Sequence, residues 1–316
     1  MVSIGVDLGG TNVKLALVDR KKGFLATTSF PTRAELGKKH IFDSLSEEIK
    51  ELIKKEKAKP VGVGMGVPGM VSLDRRTVKS PPNLPGWEIE NVSDEIEKRL
   101  GIQCVIDNDA NLAALGSARF GVAKDIDSFI MITLGTGVGG GIIFQNKIYR
   151  GTTGSAAELG HVIIDYHGPL SHSNTRGGIE AYLGQRFLSR HAADVIRQHP
   201  KNPLYKEFNK DFELLEPVDL SREANAGNEL AIEILRSTGQ KLGYAIVNFI
   251  HVLDIRKIVV SGGVSKAGKW ILEPAKKTAI EYLMPPFRED FDIIYESLGN
   301  EAAMLGAASL AFEELS

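Results

Sequence analysis

The feature that most constrains this chain is its first apolar run, Ile4-Gly-Val-Asp7-Leu-Gly9-Gly10-Thr11, and the alternating run that leads away from it through Asn12 and Lys14 to Asp19. Two short apolar runs around a Gly-Gly turn predict a β-hairpin. The glycines let the main chain turn with positive φ and let a bulky anion come close to the backbone. Thr11 and the turn N–H groups can bond phosphate oxygens, and Asp7 at the strand end can hold a hydrated Mg²⁺ that bridges them. An ordinary hairpin with an acidic rim has the same residues, so taken alone the turn leaves both uses open.

A chain of 316 residues is long for one core, which predicts two domains. The net charge of −2, from 38 basic and 40 acidic side chains, gives no electrostatic case for nucleic acid or an anionic membrane. No apolar run approaches the roughly 20 residues of a membrane-spanning helix, and the first residues lack a signal-peptide pattern. Cys104 is the only cysteine, which excludes an internal disulfide and a thiolate metal cluster and fits a reducing, cytoplasmic setting.

Strands and helices alternate along the chain, the pattern of an α/β protein. Ile41, Leu45, Ile49, Leu52 and Ile53 recur at helical spacing. Pro60 ends that helix, and residues 61–67 form a buried strand running into Pro68-Gly69. A Pro-rich loop, 79–87, carries Asn83 and Trp87. A short strand at Val105-Ile106 precedes Asp107-Asn108-Asp109-Ala-Asn111 and an Ala/Leu-rich helix to about Gly121. The strand 128–134 meets a second turn, Gly135-Thr136-Gly137-Val-Gly-Gly-Gly141, and the strand 142–144. This repeats the logic of the opening hairpin and predicts two similar halves facing one cleft. Helices are predicted at 180–197, 219–226, 228–253, around Trp270 and at 302–315, with strands at 257–260 and 291–295. The domain expectation is an N-terminal α/β unit of residues 1–118, completed by the C-terminal helix 298–316, and a second α/β unit of 119–297.

Phosphoryl transfer needs anion cradles, a divalent metal and a group that orients and deprotonates the nucleophile. The turns at 9–11 and 135–137 supply cradles, with Thr136 able to aim its hydroxyl and N–H at a β- or γ-phosphate. Asp109, at a strand end before a helix, can take a proton from a substrate hydroxyl, and Asn108 can both donate to and accept from sugar hydroxyls. Asn and Asp also dominate helix N-caps, so the pair has a purely structural use as well. Glu158 and His161 in Glu-Leu-Gly-His, together with Glu180, can bracket vicinal hydroxyls. Trp87 either lines a sugar pocket with Asn83 or packs in the core. Gly262-Gly263 after a buried strand lets a backbone approach a flat group such as adenine. Gly306 either does the same or permits tight helix packing.

Together these residues resemble the ROK family (repressors, open reading frames and kinases), and within it the bacterial glucokinase-like sugar kinases, over nearly the whole chain. Asp-Leu-Gly-Gly-Thr and Leu-Gly-Thr-Gly-Val-Gly-Gly-Gly resemble its two phosphate motifs. Asn-Asp-Ala-Asn resembles its catalytic motif, Glu-Leu-Gly-His its sugar motif, and Gly-Gly-Ile-Glu the end of its signature. The resemblance implies an actin-like, ribonuclease-H-like fold, with two α/β domains around a central cleft. It implies ATP-dependent phosphorylation of a hexose at the 6-hydroxyl, glucose before N-acetylmannosamine, N-acetylglucosamine or fructose. It places the general base on Asp109 and sugar contacts on Gly69, Asn83, Asn108, Asp109, Glu158, His161 and Glu180. Nucleotide contacts fall on Asp7, Gly9, Gly10, Thr11, Asn12, Lys14, Gly135, Thr136, Gly137, Gly262 and Gly263, with Mg²⁺ reached by Asp7 through ATP. It also implies a homodimer. The sugar-sensing repressors of the family carry an N-terminal DNA-binding module, and with a first phosphate motif at Asp7 the expectation is a kinase rather than a repressor.

The sequence departs from the family at one place. The family's zinc site uses the signature histidine and three cysteines, but this chain reads Gly168-Pro-Leu-Ser171-His-Ser173-Asn-Thr-Arg-Gly-Gly178-Ile-Glu180. Serine hydroxyls are poor Zn²⁺ ligands and glycine offers none. His161, His167 and His172 could make a histidine site only with a different geometry. The expectation is a zinc-free enzyme whose loop is held by hydrogen bonds and packing.

Overall fold

A computed structural model describes all of residues 1–316. It divides into two compact units: unit 1 contains Met1–Ser128, Gly141–Ala157 and Ser297–Ser316, and unit 2 contains Phe129–Gly140 and Glu158–Glu296.

Unit 1 begins with an antiparallel meander of β1 (Val2–Leu8), β2 (Asn12–Asp19) and β3 (Gly23–Pro31). Helix α1 (Gly37–Glu56) leads to β4 (Val63–Val67), parallel to β1. A small antiparallel sheet of β5 (Met70–Val71), β6 (Thr77–Lys79) and β7 (Ile89–Asn91) precedes α2 (Val92–Leu100). Strand β8 (Cys104–Asn108) lies parallel to β4 and runs straight into α3 (Asp109–Phe120). The main sheet has the order β3-β2-β1-β4-β8. Strands β1, β4 and β8 are almost wholly buried and mostly apolar, as strands covered on both faces must be. Strand β3 instead alternates exposed and half-buried residues, the pattern of an edge strand with one wet face. Helix α1 buries Ile41, Leu45, Ile49 and Leu52 of the stripe predicted from its spacing, with Phe42 added and Ile53 only half-buried.

The second glycine turn joins β9 (Phe129–Leu134) to β10 (Val138–Phe144). The last four residues of β10 and all of β11 (Lys147–Ile148) belong to unit 1. Unit 2 continues with α4 (Glu180–Leu183), α5 (Gln185–Arg197), α6 (Pro203–Phe208), α7 (Pro217–Asn225) and the 25-residue α8 (Glu229–Leu253). It closes with β12 (Lys257–Ser261), α9 (Lys269–Tyr282), α10 (Pro285–Arg288) and β13 (Asp292–Tyr295); α11 (Glu301–Glu314) belongs to unit 1. The second sheet has the order β11-β10-β9-β12-β13, with β12 parallel to both β9 and β13. If each sheet's strands are counted from its own first strand, both sheets read 3-2-1-4-5, so the halves repeat one plan. The single helix predicted at 180–197 is two, because Gly184 breaks it in an extended conformation.

Helix α11 is buried on every side from Ala302 to Phe312. Its Ala-rich face lets it lie backbone to backbone against α3: a Cβ on Gly306 would stand 1.8 Å from the Leu112 carbonyl oxygen, and one on Gly116 would stand 2.0 Å from that of Ala302. Gly306 therefore serves helix packing, and what approaches it is α3 rather than a nucleotide. The domain expectation placed a boundary after residue 118, whereas the contacts divide the chain after Ser128 and give 141–157 to unit 1. The local reason is close packing. The missing Cβ of Gly141 makes room for Ala110, Asn111 and Ala114 of α3, and Arg150 donates to the carbonyls of Val71, Ser72 and Leu73.

Candidate active site

In unit 1 the candidate residues gather at the carboxyl ends of the parallel strands, where open α/β sheets bind ligands. Register pairs Asp7 with Gly66 and Gly66 with Asp107. At the usual strand spacing, Asp7 and Asp107 are then about 10 Å apart. Thr32, missed in the sequence because nothing local marks it, clamps the first turn: its hydroxyl donates to the Gly9 carbonyl at 2.6 Å and its N–H to that of Thr11 at 2.9 Å. Thr11 and Asn12 are exposed beyond it. Burial raises the Asp7 carboxyl above the ordinary carboxylate range, and Lys14, its partner across the ladder, offsets this only in part. A desolvated carboxylate with so little compensation suits a cation.

Gly10 lies against Asn83, where an added Cβ would come within 2.7 Å of the Asn83 Cβ. This brings a candidate phosphate residue beside a candidate sugar residue. Asn83 itself adopts a left-handed conformation, φ 65°. Trp87 is buried against Phe42 with ring centroids 5.1 Å apart, so of its two uses the structure selects core packing.

Asn108 caps α3. Its Oδ1 accepts from the N–H groups of Ala110 (2.9 Å) and Asn111 (3.3 Å), and its Nδ2 donates to the Gly69 carbonyl at 3.2 Å. The capping use is thus real, and it leaves one amide hydrogen for another acceptor. Capping also fixes the backbone of the following residue, so the half-buried Asp109 starts the helix, its Oδ1 accepting from the Ala110 N–H at 2.9 Å. Behind them Asp107 is fully buried. It accepts from the Asn108 N–H at 2.8 Å and from Asn111 Nδ2 at 3.0 Å, and it pairs with Arg75. Arg150 Nε lies 3.1 Å from the same carboxylate but off the hydrogen-bond direction, so that contact is ionic.

In unit 2 the turn after β9 is closed by the Gly135 N–H donating to the Gly137 carbonyl at 3.0 Å. Glu180 reaches back to this turn and accepts from the Val138 N–H at 3.2 Å. The carboxylate fits because residue 137 has no Cβ; one would stand 2.3 Å from Glu180 Oε2. Two backbone bonds, from Ile164 N–H to the Gly177 carbonyl (2.9 Å) and from Ile179 N–H to the Val162 carbonyl (3.1 Å), tie the Glu158–His161 segment to the segment that begins Glu180. His161 Nε2 lies 3.7 Å from Glu158 Oε2. His167 stacks with Tyr166 and His172 with Phe187, and no group of three or more His, Cys, Asp or Glu side chains is placed to hold a metal ion. At the end of β12, Gly262 has φ 99° and lies against the Leu134 backbone, so its glycine is explained by the protein itself; nothing stands within 4 Å of where a Gly263 Cβ would be.

A cavity of about 700 Å³ opens beside Thr136 and is lined by one face of α5, with Arg186, Ser189 and Arg190, and by Phe212 and Glu213. The arginines escaped the sequence reading because a basic stripe on an amphipathic helix ordinarily faces solvent; only the fold brings the start of α5 to the second turn, where the Gln185 N–H donates to the Gly135 carbonyl at 2.9 Å.

The family model described as "ROK family" matches residues 3–314. Among curated relatives, the glucokinase of Thermotoga maritima is 31% identical over 312 residues, covering 99% of this chain and 98% of that one. The glucokinase of Streptomyces coelicolor is 33% identical over 315 residues, at 99% and 98% coverage. Among solved structures, a ROK family glucokinase from Streptomyces griseus in complex with glucose and AMPPNP superposes with a TM-score of 0.84 at 33% identity, covering 99% of this chain and all of that one.

Proposed function

We propose, for a chain that belongs to the ROK family and has its actin-like fold, that it transfers the γ-phosphoryl group of ATP to the 6-hydroxyl of glucose. The observation that carries the reading is the Asn108–Asp109 pair at the carboxyl end of β8. Capping holds a carboxylate at a helix start, where it can accept the proton of an attacking hydroxyl. Full-length similarity to glucokinases supports glucose over other hexoses. In this reading Asp109 removes the 6-hydroxyl proton as that oxygen attacks the γ-phosphorus, and ADP leaves. Glu158 and Glu180 accept from sugar hydroxyls, His161 donates to one, and Gly69, Asn83 and the spare amide hydrogen of Asn108 complete the sugar contacts.

The turns at Gly9-Gly10-Thr11 and Gly135-Thr136-Gly137 offer N–H and hydroxyl groups to the phosphates. Asn12 and Lys14 continue the first turn. Arg186 and Arg190 add positive charge beside the second, and at Gly262-Gly263 the open side of Gly263 leaves room for the base. Asp7 fits a divalent cation, and Mg²⁺ held there would neutralise charge developing on the phosphates. With Ser171, Ser173 and Gly178 where the family has cysteines, the loop works without zinc. No helix is long and apolar enough to cross a membrane; a cytoplasmic location and a homodimer go with this reading.

The test is a coupled ADP-release assay with Mg·ATP across glucose, mannose, fructose, N-acetylglucosamine and N-acetylmannosamine. The reading predicts the highest kcat/KM for glucose. ADP release with none of them, or a preference for an N-acetylated sugar, would overturn it.

A further inference from the structure

We infer that the hydroxyls of Ser171 and Ser173 form a directed hydrogen-bond chain that fixes His161 as the neutral Nε2–H tautomer, making Ser173 the positioning residue for a hydrogen-bond donor aimed at a hexose hydroxyl. The inference rests on the sugar-binding reading of His161 and names what sets its donor role. His161 Nδ1 lies 3.0 Å from Ser173 Oγ, and Ser173 Oγ lies 2.8 Å from Ser171 Oγ and 3.2 Å from Thr175 Oγ1. The direction of the chain is set at its histidine end. At the other end the Thr175 N–H donates to Ser171 Oγ at 3.3 Å and leaves that oxygen's proton free to point at Ser173. Ser173 Oγ, accepting from Ser171, gives its own proton to the bare Nδ1 of His161.

The ring proton then sits on Nε2, the nitrogen facing Glu158 Oε2 at 3.7 Å. The reverse tautomer would point the Nε2 lone pair at that carboxylate. The carboxylate end of the chain therefore favours one arrangement, which presents a donor (His161) beside an acceptor (Glu158), the pairing a vicinal diol requires. The loop is pinned independently of the hydroxyls. The Ser171 N–H donates to the Thr175 carbonyl at 3.0 Å, the Asn174 N–H to the Ser171 carbonyl at 3.1 Å, and the Gly177 N–H to the Pro169 carbonyl at 2.7 Å. Removing the Ser173 hydroxyl should thus free the ring without unfolding the loop. The segment does so with hydroxyls at two of the three cysteine positions of the family pattern.

The test pairs a spectrum with kinetics. Long-range ¹⁵N–¹H spectra of the labelled protein, with His161→Gln to assign the ring, should show a bare Nδ1 and a protonated Nε2 above neutral pH. In Ser173→Ala they should show a mixture of tautomers, and Ser173→Thr should restore the single form. In the same variants KM for glucose should rise about three- to ten-fold in Ser173→Ala with kcat within about threefold, the mark of a lost binding hydrogen bond, and return in Ser173→Thr. A wild-type ring protonated on Nδ1, or a ring unchanged in Ser173→Ala, would overturn the inference even if glucose is the substrate. If no hexose is phosphorylated, the proposed function falls while the spectra still decide the hydrogen-bond chain.

Discussion

Gly137→Ala should cripple catalysis while leaving the fold nearly intact. Gly137 does not adopt a positive φ, so alanine suits its backbone. The added Cβ, however, would stand 2.3 Å from Glu180 Oε2, and ordinary contact begins at 3.4 Å, so the carboxylate must retreat by 3.4 − 2.3 = 1.1 Å. It gives up the Val138 N–H bond in doing so. The atom that yields is the end of a flexible, half-buried side chain that water can reach, so the stability cost stays below about 2 kcal/mol. A displacement of about 1 Å in a substrate-positioning group costs roughly 100-fold in rate. Steady-state ADP release should therefore show kcat/KM for glucose down by about two orders of magnitude, with the urea midpoint barely moved. In a Glu180→Ala background the clash is absent, and Gly137→Ala should then cost less than about threefold. Retention of activity within threefold in the single variant, or the full loss persisting in the Glu180→Ala background, would refute the reasoning, the second by placing the effect in the turn itself.

Other expectations follow from the same geometry. Gly306→Ala gains about 1 kcal/mol of helix propensity, but it puts a methyl 1.8 Å from the Leu112 carbonyl oxygen; overpacking of about 1–3 kcal/mol or more should win, lowering the urea midpoint. Asp107→Ala leaves Arg75 and Arg150 without their buried partner and should cost about 3–5 kcal/mol by denaturant titration. Burial pushes the Cys104 thiol up to about 12, so a thiol reagent should not label the native protein at pH 8 and should label it in urea. Because that folded-state value lies above the ordinary 9.0, the thiol's contribution to stability should be intact below pH 9 and fade as pH climbs toward 12.

What the sequence disclosed, and what it hid, follows from how local each signal is. The opening hairpin was legible because a Gly-Gly turn between alternating runs is a local signal. The stripe on α1 was legible because helical periodicity survives packing. Strand β3 escaped because an edge strand alternates with polar residues and looks like a loop. Strands β5, β6 and β7 escaped because segments of two or three residues carry no period. Gly306 stayed ambiguous because its reason lies in α3, nearly 200 residues away in sequence. The contact between Gly137 and Glu180 was hidden for the same reason: both residues were candidates, and only the folded chain shows that one makes room for the other.

The most direct test of the account is single-turnover and steady-state kinetics of Asp109→Asn with glucose and Mg·ATP. Asparagine keeps the size and the helix-start position of the aspartate but cannot take the 6-hydroxyl proton. Removal of a general base costs about 10²- to 10⁴-fold, so kcat should fall by that factor while the KM for ATP stays within about threefold. A variant that phosphorylates glucose at the wild-type rate would contradict the claim that Asp109 is the base on which the transfer depends.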